Sequence, residues 1–130
     1  MSMQRYALFL DFDGTLVDIV PTPDAVVVSD ELRETLCALR ERFDGALALV
    51  SGRRIDNIDK DRTPIFFGDD ATDEDGIRIV NSRGGLSVNV GARSSAAMFR
   101  KPDPHYVRAR LRGWAQVLPE DFTADLRGAD

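Results

Sequence analysis

The feature that most constrains this chain is a set of short apolar segments that each end abruptly in acidic or small residues. Residues 7 to 10 run directly into Asp11, the segment A-L-A-L-V breaks at Ser51, and P-I-F-F-G breaks at Asp69. Apolar runs of about four to eight residues are typical of buried strands. Because helical patterns lie between them, we expect an α/β fold, namely a three-layer, Rossmann-like, mostly parallel sheet with helices on both faces.

The helical stretches carry recognisable start and stop signals. Ser29 is a plausible N-cap of a first helix that ends before Gly45. Thr72 is expected to cap a second helix that continues to about Arg83, and a third helix should start at the Asp103-Pro dipeptide. The alternating L-S-V-N-V segment predicts a further strand, and residues 96 to 100 a short edge strand.

Length and composition indicate one globular domain of 130 residues. We expect a core domain over residues 1–118, followed by a loose acidic tail over residues 119–130. A net charge of −5 argues against a nucleic-acid partner. The single cysteine fits a reducing compartment, and the sequence shows neither a signal-peptide layout nor an apolar run long enough for a membrane. We therefore expect a cytoplasmic protein without a membrane partner.

Polar residues follow three of the predicted strands at the point where each strand ends. They are Asp11 and Asp13, Ser51 and Gly52, and Asp69 and Asp70. In open parallel sheets the ligand crevice lies outside the carboxyl ends of the strands, so we expect these residues at one edge. Crowded carboxylates raise one another's pKa unless a cation intervenes, and carboxylate oxygens together with a substrate phosphate suit Mg²⁺.

This arrangement predicts phosphoryl-transfer chemistry. Asp11 could attack phosphorus and form an aspartyl-phosphate. Asp13 could protonate the leaving oxygen and then take a proton from the hydrolytic water. Ser51 and the Gly52 amide could hold the phosphoryl oxygens.

Each motif also has a purely structural interpretation. An Asp-Gly pair after a strand is a common turn, and T-D-E-D can be a capped helix whose acids favour its dipole. The three motifs together, in order and at strand ends, favour a functional site. Cys37 lacks the arginine of a Cys-x5-Arg phosphatase loop and is expected to be buried, while His105, the single histidine, offers little to a zinc site or a serine triad. The run of Arg108, Arg110 and Arg112 predicts a solvated helix face.

The sequence resembles the haloacid dehalogenase superfamily, and more narrowly the trehalose-6-phosphate phosphatases. The segments that carry this resemblance are L-D-F-D-G-T-L-V-D, S-G-R, G-D-D-A-T-D-E-D-G and K-P-D-P-H-Y-V. The resemblance covers most of residues 7–118. It implies Asp11 as nucleophile, Asp13 as general acid/base, and Mg²⁺ held by the Asp11 carboxylate, the Asp13 backbone carbonyl and Asp69. It also implies that Asp73 supports the site from outside and that Ser51 binds phosphate.

The chain departs from this family in one respect. Family members carry a large cap domain between the serine motif and the acidic motif, whereas residues 52 to 68 alone separate Ser51 from Asp69 here. A parallel crossover by itself needs about twelve residues, so no cap is expected. The resemblance also implies a lysine that offsets charge on nucleophile and phosphate, and Lys60 lies in the corresponding interval.

These observations predict a Mg²⁺-dependent phosphomonoester hydrolase of the trehalose-phosphatase type. Its substrate is expected to be a small phosphorylated molecule such as a sugar phosphate, and a second copy of the chain could cover the open site. The alternative is a capless remnant that binds metal and phosphate without efficient hydrolysis. A weaker alternative is a phosphorylatable receiver-like domain, although the acceptor of such domains closes a middle strand, whereas Asp11 follows the first strand of this chain.

Overall fold

A computed structural model of the chain describes residues 5–17, 28–50 and 61–128. In these ranges the strands are β1 (Tyr6–Asp11), β2 (Leu47–Val50), β3 (Thr63–Gly68), β4 (Leu86–Val90) and β5 (Phe99–Lys101). They form one five-stranded parallel sheet in the order β2-β1-β3-β4-β5. The crossovers place β1 and β3 side by side although β2 lies between them in sequence.

The helices are α1 (Asp30–Arg42), α2 (Glu74–Ser82), α3 (Pro104–Gln116) and α4 (Phe122–Arg127), and a short 3₁₀ turn, Ala71–Asp73, precedes α2. Apolar residues of α1, α3 and α4 share one core cluster with the sheet, and α2 packs Ile77 and Val80 on Phe66 in a second cluster. The sheet therefore has helices on both faces, and the predicted α/β architecture is confirmed.

No helix in the parts of the chain that the structure describes combines the length and the apolar character needed to cross a membrane.

Two predicted helix caps are confirmed and one is wrong. The Ser29 hydroxyl accepts a hydrogen bond from the Leu32 amide at 3.1 Å, and the Asp103 carboxylate accepts one from the Tyr106 amide at 2.9 Å. Thr72 is not the cap of the second helix, because the chain already turns two residues earlier. Asp70 caps that 3₁₀ turn through its own carboxylate.

The second strand is also less buried than predicted. β2 lies at the edge of the sheet, paired only with β1 among the described strands. The Leu49 side chain is consequently 53% exposed. An apolar run alone does not distinguish an edge strand from a central one, which is why the sequence suggested a buried strand.

Beyond Pro119 the expectation of a loose tail is wrong for residues 122 to 127. Phe122 and Leu126 of α4 are buried in the larger core cluster. The Phe122 ring lies 4.6 Å from that of Tyr6 and 4.9 Å from that of Trp114, measured between centroids. Two apolar positions in a six-residue helix give too weak a periodic signal for the sequence to predict it.

Two further expectations about side chains are wrong. Cys37 is exposed, because it lies off the apolar stripe of α1. The arginines of α3 do not form a uniformly solvated face. Arg108 donates to the Leu16 carbonyl at 2.9 Å, and Arg110 pairs with Asp125 at 3.2 Å, both partly buried.

The packing of α4 predicts a large effect of truncating Phe122. Phe122→Ala should lower the free energy of unfolding by about 3 kcal/mol or more, since it removes a buried ring and leaves a cavity. Urea denaturation would measure the change. Val117→Ala, at a side chain that is 70% exposed, is the control and should shift stability by no more than about 0.5 kcal/mol. A Phe122→Ala effect as small as that of the control would contradict the packing of this helix on the core.

Candidate active site

The candidate site lies where β1 and β3 end beside each other. The register pairs Leu10 with Phe67, so Asp11 closes β1 next to the point where Asp69 follows β3. Carboxylate oxygens of Asp11, Asp69 and Asp73 all lie within 4.8 Å of one another. The predicted convergence of Asp11 and Asp69 at one sheet edge is thus observed, and Asp73 joins them.

A tight turn follows β1 and brings the chain back over the strand end. The Phe12 carbonyl accepts from the amides of Thr15, Leu16 and Val17 at 3.3, 2.9 and 3.3 Å. Gly14 has a φ of +80° within this turn. A Cβ added at Gly14 would lie 1.9 Å from the nearer Asp69 carboxylate oxygen, so only glycine fits both the backbone conformation and the space.

Asp13 stands apart from the carboxylate group. It is exposed on the same turn, and its carboxylate is not among the clustered oxygens of the described residues. An exposed carboxyl next to the cluster remains compatible with the acid/base role predicted for it. The predicted use of its backbone carbonyl as a metal ligand stays a prediction.

Thr15 links the two strand ends. Its hydroxyl is fully buried and lies 3.3 Å from Asp11 Oδ2 and 3.4 Å from Asp69 Oδ1. Since a hydroxyl has one proton, it can donate to only one of these carboxylates at a time. Sequence reasoning gave Thr15 no role, although its place in D-x-D-G-T was a usable signal.

Asp73 supports the acidic segment through the backbone. Its Oδ2 accepts from the amides of Asp69 and Asp70, both at 3.0 Å. The carboxylate lies over Gly68, where an added Cβ would come within 2.8 Å of it. Oδ2 is therefore committed to holding Asp69 in place, which agrees with the supporting position that the resemblance implied for this residue.

Burial and mutual repulsion perturb the titration of these acids. The pKa of Asp11 is raised to about 8, mainly by burial and further by its hydrogen bond with Asp69 and the charges of Asp73 and Asp69. Burial also raises the pKa of Asp73 above its ordinary value, although the two backbone amides partly oppose the shift. Without a cation the folded protein therefore favours a protonated carboxyl at Asp11.

The donor set fits a small hard cation. Asp11 and Asp69 at two strand ends, with Asp73 in the 3₁₀ turn beside them, offer carboxylate oxygens alone, which is the chemistry that Mg²⁺ prefers. A divalent cation would also offset the charge repulsion that raises the pKa of Asp11. Asp11 and Asp69 are the residues of this group that would hold it, with Asp73 fixing the segment behind them.

Three predicted site residues lie outside the described residues: Ser51, Gly52 and Lys60. β2 ends at Val50, which pairs with Asp11 in the sheet. The phosphate-binding role of Ser51 and Gly52, and the lysine role of Lys60, stay predictions.

Sequence reasoning missed a second polar cluster beside the acids. The Glu74 carboxylate accepts from Arg93 at 2.6 Å and from the Ser95 hydroxyl at 2.6 Å. Burial alone would raise the pKa of Glu74, but hydrogen bonds from Ala96 and Ser95 and the charge of Arg93 outweigh it and lower that pKa. Glu74 is visible in T-D-E-D, whereas no pattern in the sequence marks Arg93 as its partner.

Comparisons with known proteins agree with the geometry. The family described as Trehalose-phosphatase matches residues 9–61. A probable trehalose-phosphate phosphatase of Sinorhizobium fredii is 37% identical over 125 residues, which cover 92% of this chain and 42% of the relative. The trehalose-6-phosphate phosphatase of Escherichia coli is 48% identical over 63 residues, covering 48% of this chain and 24% of the relative.

A plant protein is similar over a shorter stretch. Trehalose 6-phosphate phosphatase RA3 of Zea mays is 44% identical over 55 residues, covering 42% of this chain and 15% of the relative. The chain thus spans less than half the length of these curated relatives. The resemblance predicted from the motifs is confirmed.

The raised pKa of Asp11 predicts how the metal-free protein responds to pH. The folded state holds a proton at Asp11 that the unfolded state releases near pH 4, so this contribution to stability is present at low pH and lost as the pH rises towards about 8. In chelator, the melting temperature should therefore fall between pH 5.5 and pH 8.5. Thermal denaturation across this range would measure it.

Asp11→Asn provides the matched control for that measurement. The amide cannot titrate, so the variant should lose less stability than the original chain between the two pH values. Equal losses in both proteins would contradict the pKa assigned to Asp11.

Proposed function

Since the chain is related to the trehalose-phosphatases of the haloacid dehalogenase superfamily, we propose that it is a Mg²⁺-dependent phosphomonoester hydrolase that works through an aspartyl-phosphate. The observation that carries this proposal is the convergence within 4.8 Å of Asp11 and Asp69, at the ends of two adjacent parallel strands, with Asp73 of the following 3₁₀ turn. The capping box of the 3₁₀ turn accounts for the position of Asp73, but neither a turn nor a cap requires Asp11 and Asp69 to meet.

Asp11 is the proposed nucleophile. Its carboxylate oxygen attacks the phosphorus of the substrate, and the bond between phosphorus and the leaving oxygen breaks. The Asp13 carboxyl donates its proton to that leaving oxygen, which departs as an alcohol. A carboxylate at the end of a rigid, buried strand holds its attack direction without further ordering, which lowers the entropic part of the barrier.

Hydrolysis of the aspartyl-phosphate completes the cycle. Asp13, now a carboxylate, takes a proton from water as the water oxygen attacks phosphorus. The bond between phosphorus and Asp11 breaks, inorganic phosphate leaves, and both side chains return to their starting forms. Bound Mg²⁺ would supply charge neutralisation for the carboxylates and the phosphoryl oxygens, which is the main catalytic effect in phosphoryl transfer.

The proposed substrate class is phosphorylated sugars. This choice rests on the relatives whose names specify trehalose phosphate. The short interval between Ser51 and Asp69 leaves no room for a cap, so the sugar portion would meet an open rim and small phosphomonoesters should also be accepted. Ser51, Gly52 and Lys60 are proposed to contact the transferred phosphoryl group.

Turnover of p-nitrophenyl phosphate tests the proposal directly. The chain should release p-nitrophenol with Mg²⁺ and not with chelator, and Asp11→Asn should reduce the rate by at least about a thousandfold because it removes the nucleophile. Asp30→Asn, at an exposed position in the first turn of α1, is the control and should leave the rate unchanged. Turnover that survives Asp11→Asn would refute the mechanism. Metal binding without turnover would identify a non-catalytic remnant instead.

Metal binding can be examined apart from turnover. Because Mg²⁺ should bind the folded acidic cluster and not the unfolded chain, a metal concentration about ten times the dissociation constant should add about 1.4 kcal/mol of stability. For a domain of this size the melting temperature would rise by about 3 to 6 °C. Asp69→Asn should reduce that rise, since it removes one carboxylate of the cluster. An unchanged melting temperature at millimolar Mg²⁺ would argue against the metal site.

A further inference from the structure

The segment between β4 and β5, residues 91–98, lies against the beginning of α2. Glu74, in the first turn of that helix, accepts from Arg93 Nη2 at 2.6 Å, the Ser95 hydroxyl at 2.6 Å and the Ala96 amide at 2.9 Å. The Glu74 side chain is only 14% exposed. One carboxylate thus collects three donors from this segment, all at short distances, and so holds it on the helix.

The same guanidinium reaches the acidic segment that forms the site. Arg93 Nη2 also donates to the Asp70 carbonyl at 3.0 Å. Asp70 is the cap of the 3₁₀ turn, and its amide, like that of Asp69, is held by the Asp73 carboxylate. A continuous set of hydrogen bonds therefore runs from Arg93 through Asp70 and Asp73 to Asp69.

Residues 91–98 are themselves fixed from other directions. The buried amide of Asn89 donates to the carbonyls of Gly91 and Arg93 at 3.3 and 3.4 Å. On α2, Asn81 donates to the Ala96 carbonyl at 3.0 Å. These hydrogen bonds hold the backbone of the segment in place, so it can act as a rigid support for the Arg93 side chain.

We propose that Arg93 and Glu74 form a positioning pair that fixes residues 91–98 against the acidic segment and thereby sets the placement of Asp69 and Asp73 for metal binding. This inference rests on the proposed function, because it assigns the pair to the same metal site. Neither residue contacts the substrate in this scheme. Outer partners of metal ligands commonly tune affinity in this way, and their loss typically costs about 10-fold to 100-fold.

The geometry distinguishes this pair from an ordinary surface ion pair. Arg93 and Glu74 are 29% and 14% exposed, and their charged atoms are 2.6 Å apart. On the same helix, Arg78 and Asp75 are 64% and 75% exposed and lie 3.5 Å apart. Exposed pairs of the second kind contribute little. Arg78 and Asp75 therefore provide a matched control for the removal of one ion pair from α2.

The test measures Mg²⁺ affinity by calorimetry, together with kcat and KM for p-nitrophenyl phosphate. Arg93→Ala should raise the dissociation constant for Mg²⁺ about tenfold or more. Arg93→Lys should give a smaller increase, because it keeps the positive charge, whereas its shorter side chain brings the ammonium less close to Glu74 and the Asp70 carbonyl than Nη2. KM at saturating Mg²⁺ should change less than about twofold, and Asp75→Ala, which removes the exposed ion pair of α2 and keeps the charge of Arg78 near Glu74, should leave the Mg²⁺ affinity unchanged.

A double-mutant cycle sharpens the test. Glu74→Ala and Arg93→Ala should weaken Mg²⁺ binding together by little more than either does alone, since they break one shared connection. If Arg93→Ala does not fold, the Mg²⁺ affinity of Arg93→Lys, measured by calorimetry, tests the positioning role instead.

Two outcomes would overturn the inference. One is a lowered melting temperature in the Arg93 variants with unchanged Mg²⁺ affinity, which would show that the pair only stabilises the fold. The other is a failure of the unsubstituted chain to bind Mg²⁺, which would refute the metal site together with the positioning role. An original chain that binds Mg²⁺ without turnover would refute the proposed activity alone, and a loss of affinity in Arg93→Ala would still support the positioning role.

Discussion

The central constraint on the site is that two neighbouring strands hold carboxylates close together although their charges repel. Because β1 and β3 are adjacent and parallel, Asp11 and Asp69 cannot move apart without disturbing the centre of the sheet. The repulsion is met locally by the Thr15 hydroxyl and by the backbone amides that bind Asp73. These contacts are insufficient to keep Asp11 ionised near neutral pH, since its pKa is raised to about 8. A divalent cation held by Asp11 and Asp69 would offset this repulsion and favour the ionised carboxylate of Asp11.

Close approach of the acidic groups is possible because two glycines leave space for them. At Gly14 the requirement is double, since the positive φ excludes most side chains and a Cβ would collide with Asp69. At Gly68 only space matters, because the Asp73 carboxylate lies where a side chain would be. The glycines of D-x-D-G-T and G-D-D are thus part of the site, although they contribute no chemical group. A plain turn would explain the positive φ of Gly14 but not its close approach to Asp69, whereas the cap that Asp73 provides already explains the space at Gly68.

The part of the site that follows from strand order could be predicted, and the part that depends on side-chain contacts between distant residues could not. Asp11 and Asp69 each follow an apolar run, and the rule for parallel sheets was enough to bring them to one edge. That Asp70 caps a 3₁₀ turn before α2, instead of Thr72 capping the helix, was not predictable, because both residue types are good caps and the choice depends on where the turn begins. Arg93 was inaccessible to sequence reasoning for another reason. Its contacts with Asp70 and Glu74 depend on the path of residues 91–98 after β4, which no periodicity encodes.

The residues proposed for the reaction differ in their exposure to solvent: the nucleophile is buried, and the general acid/base is exposed. Asp11 is 7% exposed and Thr15 is fully buried, so among the described residues the nucleophile is desolvated by the core itself and needs no lid for that purpose. Asp13, which would serve the leaving group, is exposed. The cap that the resemblance implies for family members would close this side and select the sugar. Because residues 52 to 68 leave no room for a cap, the contacts that distinguish one leaving group from another would be few, whereas the acids Asp11, Asp69 and Asp73 are together in the described part of the chain. Discrimination among alcohols requires differential binding in the transition state, so a chain built in this way should keep the chemistry of its relatives more readily than their selectivity.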